Sequence, residues 1–211
     1  MTLFEFCAES ASGAIDAAGS GADRIELCAD LSVGGITPAP DDLRRVLDET
    51  DIPVFAMARP RGGSFVFDDD EVELTCGQLE QAHELGAHGF VVGAIDSQRR
   101  IDVRALTRWV AAAQGRPVTF HRAFDELADP FDALSTLAEL GVRRILTSGA
   151  GASAWEGRAR IRELIEHAPR ELTIIAGGGV RQHNVHDLVE ATGAIEVHGS
   201  APIDLRRTAR P

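Results

Sequence analysis

The sequence has no apolar run of the length that a membrane span requires. Nowhere do about 18 apolar residues follow one another. The N-terminal residues, MTLFEFCAES, also lack the basic stretch followed by an apolar stretch that marks a secretory leader. We therefore expect a cytoplasmic protein without a membrane partner.

The chain also lacks positive charge. Its formal net charge is −12, and the acidic residues are scattered along the sequence. A phosphate backbone or an anionic membrane attracts proteins of the opposite balance, so we expect no nucleic-acid partner. An anionic ligand would need a local site.

Cysteine is scarce and odd in number, which excludes the disulfide framework of a small secreted domain. The three residues are Cys7, Cys28 and Cys76. In a reducing compartment they are free thiols or metal ligands. Cys76 lies in the helical pattern DDDEVELTCGQLEQAHEL and is expected to be structural.

The chain is long enough for one sizeable core. It has 211 residues, of which 44% are hydrophobic, and no break in composition divides it. We predict a single domain over residues 1–211.

Eight β-rich runs are separated by helix-like segments. They are FEFC from Phe4, GADRIEL from Gly21, PVFAMAR from Pro53, GAHGFVV from Gly86, PVTFHRA from Pro117, GVRRILT from Gly141, LTIIAGG from Leu172 and GAIEVH from Gly193. Between them, Asp102, Asp129 followed by Pro130, and Asn184 mark helix starts. Strands that alternate with helices pair in parallel, in either an open doubly wound sheet or a closed barrel.

Polar residues inside the strands favour the barrel, because an open parallel sheet covered by helices on both faces is continuously apolar. The period of two divides the strand residues into two faces. Phe4, Phe6, Ile25, Leu27, Val118, Phe120, Ile195 and Val197 are predicted to face the helices, and Glu5, Cys7, Glu26, Cys28, Thr119, His121, Glu196 and His198 the lumen. The prediction is an α/β protein with a (β/α)8 TIM-type barrel.

The last segment, SAPIDLRRTARP, is too short and too basic for a confident amphipathic helix. We therefore expect the barrel to lack a full eighth helix. Phe4, Phe6 and Val197 would then need another cover, from the tail, a longer first helix or a second subunit.

Cys7 and Cys28 end the first two strands. Parallel neighbours lie about 4.8 Å apart, and two collinear metal–thiolate bonds of about 2.3 Å span nearly that distance. Soft sulfur ligands in small number suit Cu(I). The alternative is that both are small residues filling the core.

Five ionisable residues share the predicted lumen: Glu5, Glu26, His121, Glu196 and His198. Burying charges without partners is costly, so counter-charges are expected, with Arg59, Arg61 and Arg122 as candidates. The cluster is either a set of catalytic acid–base groups or a structural ion-pair network.

Glycine-rich segments follow the seventh and eighth strands, where barrels often bind phosphate. They are AGGGV, from Ala176, and HGSAP, from His198, and SGAGAS from Ser148 adds further amides. The predicted anion-binding residues are Arg59, Arg61, Ser148, Gly177, Gly178, Gly179 and Ser200.

Six segments, spread in order over nearly the whole chain, resemble the CutC family of copper homeostasis proteins. They are GADRIELCADLSVGGITPAPDDL, RPRGGSFVF, VTFHRAFD, RRILTSG, AGGGV and EVHGSA. The resemblance implies a (β/α)8 barrel, a cytoplasmic location, a Cu(I) site at Cys7 and Cys28, and homo-oligomers, commonly dimers. The chain departs from the family pattern at Ser64, where Asp is usual, and at Phe67, where Tyr is usual.

Two functions therefore stay open. The first is a copper homeostasis protein whose Cys7 and Cys28 hold Cu(I). The second is an enzyme that holds a small anionic substrate, phosphorylated or not, by its glycine loops and arginines while a buried carboxyl or imidazole moves a proton.

Overall fold

The computed structural model describes residues 2–205, which form a closed barrel of eight parallel strands. The strands are β1 (Leu3–Ala8), β2 (Arg24–Leu27), β3 (Val54–Met57), β4 (Gly89–Val92), β5 (Val118–Phe120), β6 (Arg144–Thr147), β7 (Thr173–Gly177) and β8 (Glu196–Gly199). Each strand pairs with the next, and β8 closes on β1 with His198 opposite Glu5. The predicted (β/α)8 barrel is confirmed.

Seven α-helices surround the barrel in the described part of the chain. They are α1 (Ala11–Gly19), α2 (Pro40–Glu49), α3 (Asp69–Leu85), α4 (Val103–Ala112), α5 (Pro130–Glu139), α6 (Arg158–His167) and α7 (Val185–Thr192). The Asp102 side chain accepts from the Ala105 amide, and Asp129 accepts from two amides of the first turn of α5. These caps confirm the helix starts predicted at both aspartates.

The strand residues divide as the period of two predicts, with one exception. Phe4, Ile25, Phe120 and Val197 belong to the large core between strands and helices, whereas Cys7 and Cys28 pack with Phe55, Met57 and Val91 in a separate cluster. The prediction for Ile195 is wrong: β8 begins only at Glu196, and Ile195 is 63% exposed.

No helix follows β8 in the chain as far as Leu205, the last described residue. Ile203 is 1% exposed and lies in the same core as Phe4 and Val197, so the segment after β8 supplies the cover that both need. Phe6 stays partly buried. Residues 206–211 of the predicted tail lie outside the described residues.

Within residues 2–205, no helix has both the length and the apolar character needed to cross a bilayer.

Candidate functional site

The floor of the barrel lumen is a buried network of charged side chains. Arg24 Nε donates to Glu5 Oε2 at 2.5 Å, and its Nη2 pairs with Glu196. Arg144 Nε approaches Glu196 Oε2 at 3.3 Å. Burial alone would raise the pKa of Glu5, but the hydrogen bond with His198 and the charge of Arg24 outweigh it and lower that pKa to about 2. Glu5 is therefore a carboxylate at neutral pH.

Phe55 closes this floor. The guanidinium carbons of Arg24 and Arg144 lie 5.0 and 5.3 Å from the centre of its ring. Gly89 makes room for the ring, since a Cβ there would lie 2.5 Å from it. The ring thus packs against both arginines of the floor.

The prediction that Arg59, Arg61 and Arg122 neutralise the lumen carboxylates is wrong. Arg24 and Arg144 pair with these carboxylates instead. Arg59 instead donates to the carbonyl oxygens of Val33, Gly35 and Gly63. The guanidinium of Arg61 pairs with Glu71, and that of Arg122 pairs with Asp125 at 2.9 Å. None of these three arginines reaches the glutamates of the lumen.

Above the floor lies the thiol pair. Cys7 Sγ and Cys28 Sγ are 3.8 Å apart, and Cys7 Sγ donates to Glu26 Oε1 at 3.3 Å. Cys28 Sγ donates to the carbonyl oxygen of Ala8 at 3.5 Å. The hydrogen bond with Cys28, burial and the nearby Glu26 raise the pKa of the Cys7 thiol well above its usual range. Cys7 is therefore a neutral thiol when no cation is near.

His198 completes the cluster. Its Nδ1 lies 2.9 Å from Glu5 Oε1, and donor atoms of Cys7, Glu26 and His198 all lie within 4.8 Å of one another. Burial alone would lower the pKa of His198, but the carboxylates of Glu26 and Glu5 raise it overall. Burial raises the pKa of Glu26. The arrangement offers sulfur, nitrogen and oxygen donors to one small cation.

A cavity of about 540 Å³ opens at the carboxyl ends of the strands. It is lined by Cys7, Glu26 and His198 on one set of strands, and by Arg59, His121 and the glycine loop after β7 on others. Cys28 lies behind this lining and is 1% exposed. The volume is in the range of small-molecule pockets and far exceeds the share of one water, about 30 Å³.

His121 reaches the cavity as a neutral imidazole. Its Nδ1 accepts the Ala123 amide at 3.1 Å, and its Nε2 is buried without a hydrogen-bond partner among residues 2–205. The ring packs against Phe65, with centroids 4.9 Å apart, and against Gly93, where a Cβ would lie 2.5 Å from it. Burial and the charge of Arg59 lower the pKa of His121 to about 3. The free nitrogen therefore carries a proton.

The predicted anion-binding residues are only partly brought together. Arg59, Gly178, Gly179 and Ser200 line the cavity, and the two glycines have φ of +108° and +71°. The remaining three, Arg61, Ser148 and Gly177, are absent from this lining.

Asp125 occupies part of the loop that was expected to bind an anion. Its carboxylate accepts from the Ser148 amide at 3.1 Å, from the Ala150 amide at 3.1 Å and from Thr147 Oγ1 at 2.5 Å. An internal carboxylate thus already fills this amide cluster. Asp125 is the last residue of the motif VTFHRAFD, but it was not among the residues predicted for the site.

Known proteins match the whole barrel. A sequence profile of the CutC family matches residues 2–203. The copper homeostasis protein cutC homolog of Homo sapiens is 44% identical over 199 residues, which are 94% of this chain and 73% of that protein. The chain belongs to the CutC family.

Further relatives agree with this assignment. A CutC family protein of Histophilus somni is 41% identical over 197 residues, 93% of this chain and 81% of that protein. The crystal structure of the copper homeostasis protein CutC of Streptococcus agalactiae superposes with a TM-score of 0.90 at 35% identity, covering 95% of this chain and 99% of that one. The CutC resemblance of the six motifs is confirmed.

Proposed function

We propose that the chain is a cytoplasmic copper homeostasis protein that binds one Cu(I) ion through Cys7 and Cys28. The separation of the two sulfur atoms carries this proposal. At 3.8 Å, both can reach one ion over bonds of about 2.3 Å, the zinc–thiolate length, with a sulfur–metal–sulfur angle of about 110°. Soft thiolates favour Cu(I) over harder cations.

The surroundings of the thiols are compatible with an ion. Cys7 lines the cavity, which provides a path of entry, and Cys28 lies directly behind it. The Cys7 thiol is neutral before the ion arrives, so its coordination releases a proton, and the thiolate that forms offsets the charge of the ion. Both cysteines lie on or next to strands, which favours storage or buffering over rapid hand-over.

The test is an anaerobic Cu(I) titration in competition with a chromophoric chelator. We expect the wild-type protein to hold one Cu(I) per chain and the double variant Cys7→Ser, Cys28→Ser to lose it. Cys76→Ser is the matched control, because Cys76 lies on α3 outside the lumen and should leave the affinity unchanged. Full affinity in the double variant would remove this function.

The size of the cavity favours a second candidate function, an enzyme acting on a small anionic substrate. An ion alone does not need about 540 Å³. Glu26 Oε2 and His121 Nε2 are both buried without a partner among the described residues, and both residues line the cavity. Glu26 is the candidate proton carrier, and His121 is suited to donate a hydrogen bond to a developing oxyanion.

A binding screen separates the second function from the first. Small carboxylates and phosphate monoesters would be titrated into the copper-free protein by calorimetry. We expect a hit to bind equally well to the Cys7→Ser, Cys28→Ser variant and at least about tenfold more weakly to His121→Phe, which keeps the ring but removes the donor. A screen in which both classes fail to bind would contradict the enzyme.

We also propose that the chain forms a homodimer. The family resemblance suggests it, and Ile195 and the half-buried Phe6 leave apolar surface near the closure of the barrel. Sedimentation equilibrium should give twice the chain mass of 22.6 kDa. A single species of the chain mass would contradict the dimer.

A further inference from the structure

The loop side of the cavity carries more positive than negative charge. Apart from Glu26 in the lumen, its charged lining consists of three arginines and two carboxylates, namely Arg59, Arg122, Arg181, Asp125 and Glu126. The guanidinium of Arg181 donates to the Val180 carbonyl oxygen and pairs with no carboxylate among residues 2–205. In a chain with a formal net charge of −12, this local excess favours an anionic ligand.

The loops that follow β7 and β8 meet at one edge of this cavity. A Cβ at Gly199 would lie 3.2 Å from the Val180 carbonyl oxygen, so the two loops are in contact. Within the described part of the chain, the amides of Gly178, Gly179 and Ser200 donate to no acceptor. The loop after β6 differs, because its amides already bind an internal carboxylate. Free amides on adjoining loops form a concavity that suits an anion.

Arg122 adds a cation to these amides. A Cβ at Gly178 would lie 3.6 Å from its guanidinium carbon and from its Nη1. Its Nε donates to Asp125 at 2.9 Å and its Nη2 to Ser148 Oγ at 3.0 Å, which leaves Nη1 available. A phosphate group has three strong acceptor oxygens, so it can accept from the amides and from Nη1 together. A carboxylate, with two oxygens, would leave donors of this edge unused.

The cavity also presents two buried donors beside the ring of Phe65. The guanidinium carbon of Arg59 lies 4.5 Å from the centre of that ring, and the centre of the His121 ring lies 4.9 Å from it. Arg59 Nε and His121 Nε2 are both buried without a partner among the described residues. A buried donor without a partner is costly, and an acceptor oxygen of a ligand removes that cost. A carbonyl oxygen fits, because it accepts hydrogen bonds and carries no proton of its own.

We propose that the cavity binds a phosphate monoester that also carries a carbonyl oxygen. The phosphate lies on the amides of Gly178, Gly179 and Ser200 and on Arg122, and the carbonyl oxygen accepts from His121 Nε2. Because His121 and Arg122 are consecutive residues, a ligand with a short carbon chain reaches both ends. This inference rests on the enzyme candidate for the function and names the class of its substrate.

Calorimetric titration of the wild-type chain with three compounds tests this class. Hydroxyacetone phosphate and propyl phosphate differ only in a carbonyl group that replaces a methylene group. Levulinate keeps the ketone but has a carboxylate in place of the phosphate. We expect hydroxyacetone phosphate to bind at least about tenfold more tightly than either of the other two, because only it fills both sets of donors.

Two variants separate the two ends of the ligand. Arg122→Gln should weaken both phosphate esters at least about tenfold, because both place a phosphate on this guanidinium. His121→Phe should weaken hydroxyacetone phosphate alone, so that the two esters bind equally. Arg100→Gln is the matched control, since Arg100 also forms an exposed ion pair, with Asp96 at 2.8 Å, but lies outside the lining of the cavity. It should leave both affinities unchanged.

The outcomes distinguish this inference from the function on which it rests. Levulinate that binds more tightly than both esters would overturn the phosphate class and leave an enzyme for small carboxylates. Equal wild-type affinities for the two esters would overturn the carbonyl contact. If no phosphate monoester and no carboxylate bound, the enzyme itself would be removed. The wild-type comparison decides the class even where a variant fails to fold.

Discussion

Glu5 on β1 and Arg24 on β2 lie directly opposite each other and form an ion pair buried from solvent, with side-chain exposures of 0% and 3%. The same guanidinium also pairs with Glu196 on β8, so one arginine links three neighbouring strands where the barrel closes. This relationship places the charged floor directly beneath His198 and the thiols.

Removing Arg24 should therefore destabilise the barrel strongly. In Arg24→Met, Glu5 and Glu196 lose their main partner while buried, and we expect a loss of roughly 3–5 kcal/mol in the free energy of unfolding by urea. Arg45→Met removes an exposed pair with Glu49 and should cost less than about 1 kcal/mol. Equal effects of the two substitutions would show that the buried network is not a major contribution.

A methyl group at Gly93 should displace His121. The added Cβ would lie 2.5 Å from the imidazole, so we expect Gly93→Ala to cost about 1–3 kcal/mol of unfolding free energy. Gly77→Ala, within α3, meets no atom within 4 Å and should stabilise the protein by up to about 1 kcal/mol. Thermal unfolding of both variants compares them, and a neutral Gly93→Ala would mean that the ring is not confined.

The neutral His121 makes stability depend on pH. Its pKa falls from 6.5 to about 3 on folding, because of burial and the charge of Arg59, so between these values the unfolded chain binds a proton that the native state does not. Protonation of His121 therefore does not affect stability above pH 6.5. As the pH falls from 6.5 towards 3, the free energy of unfolding decreases by about 1.4 kcal/mol per pH unit.

The variant His121→Phe isolates this contribution. The difference in unfolding free energy between the wild type and His121→Phe should shift by about 2 kcal/mol between pH 6.5 and pH 5, in the direction that disfavours the wild type at low pH. Urea denaturation at a series of pH values measures it. If the unfolding free energy of the two proteins changed with pH in parallel, the neutral, buried state of the His121 imidazole would be contradicted.

Much of the fold could be predicted from strand periodicity alone. Alternation in FEFC and RIEL placed Glu5, Cys7 and Glu26 on one face, and the structure brings all three into the lumen. The same rule failed at Ile195, because periodicity assigns a face but does not say where pairing with the neighbouring strand begins.

The partners within the site were harder to predict. Arg144 precedes Ile145 in β6, and the period of two applied to that strand would have indicated its inward direction. Asp125 offers no such signal, since a loop carboxylate that accepts amides some 23 residues away depends on the closure of the barrel. Local patterns assign faces, whereas contacts between distant loops follow from the tertiary fold.

Anomalous diffraction at the copper edge, from crystals of the Cu(I)-loaded protein, tests the central claim most directly. We expect one copper peak per chain in the barrel lumen, bonded to both Cys7 Sγ and Cys28 Sγ. A lumen without copper, or a peak at Cys76 or at surface histidines alone, would contradict it.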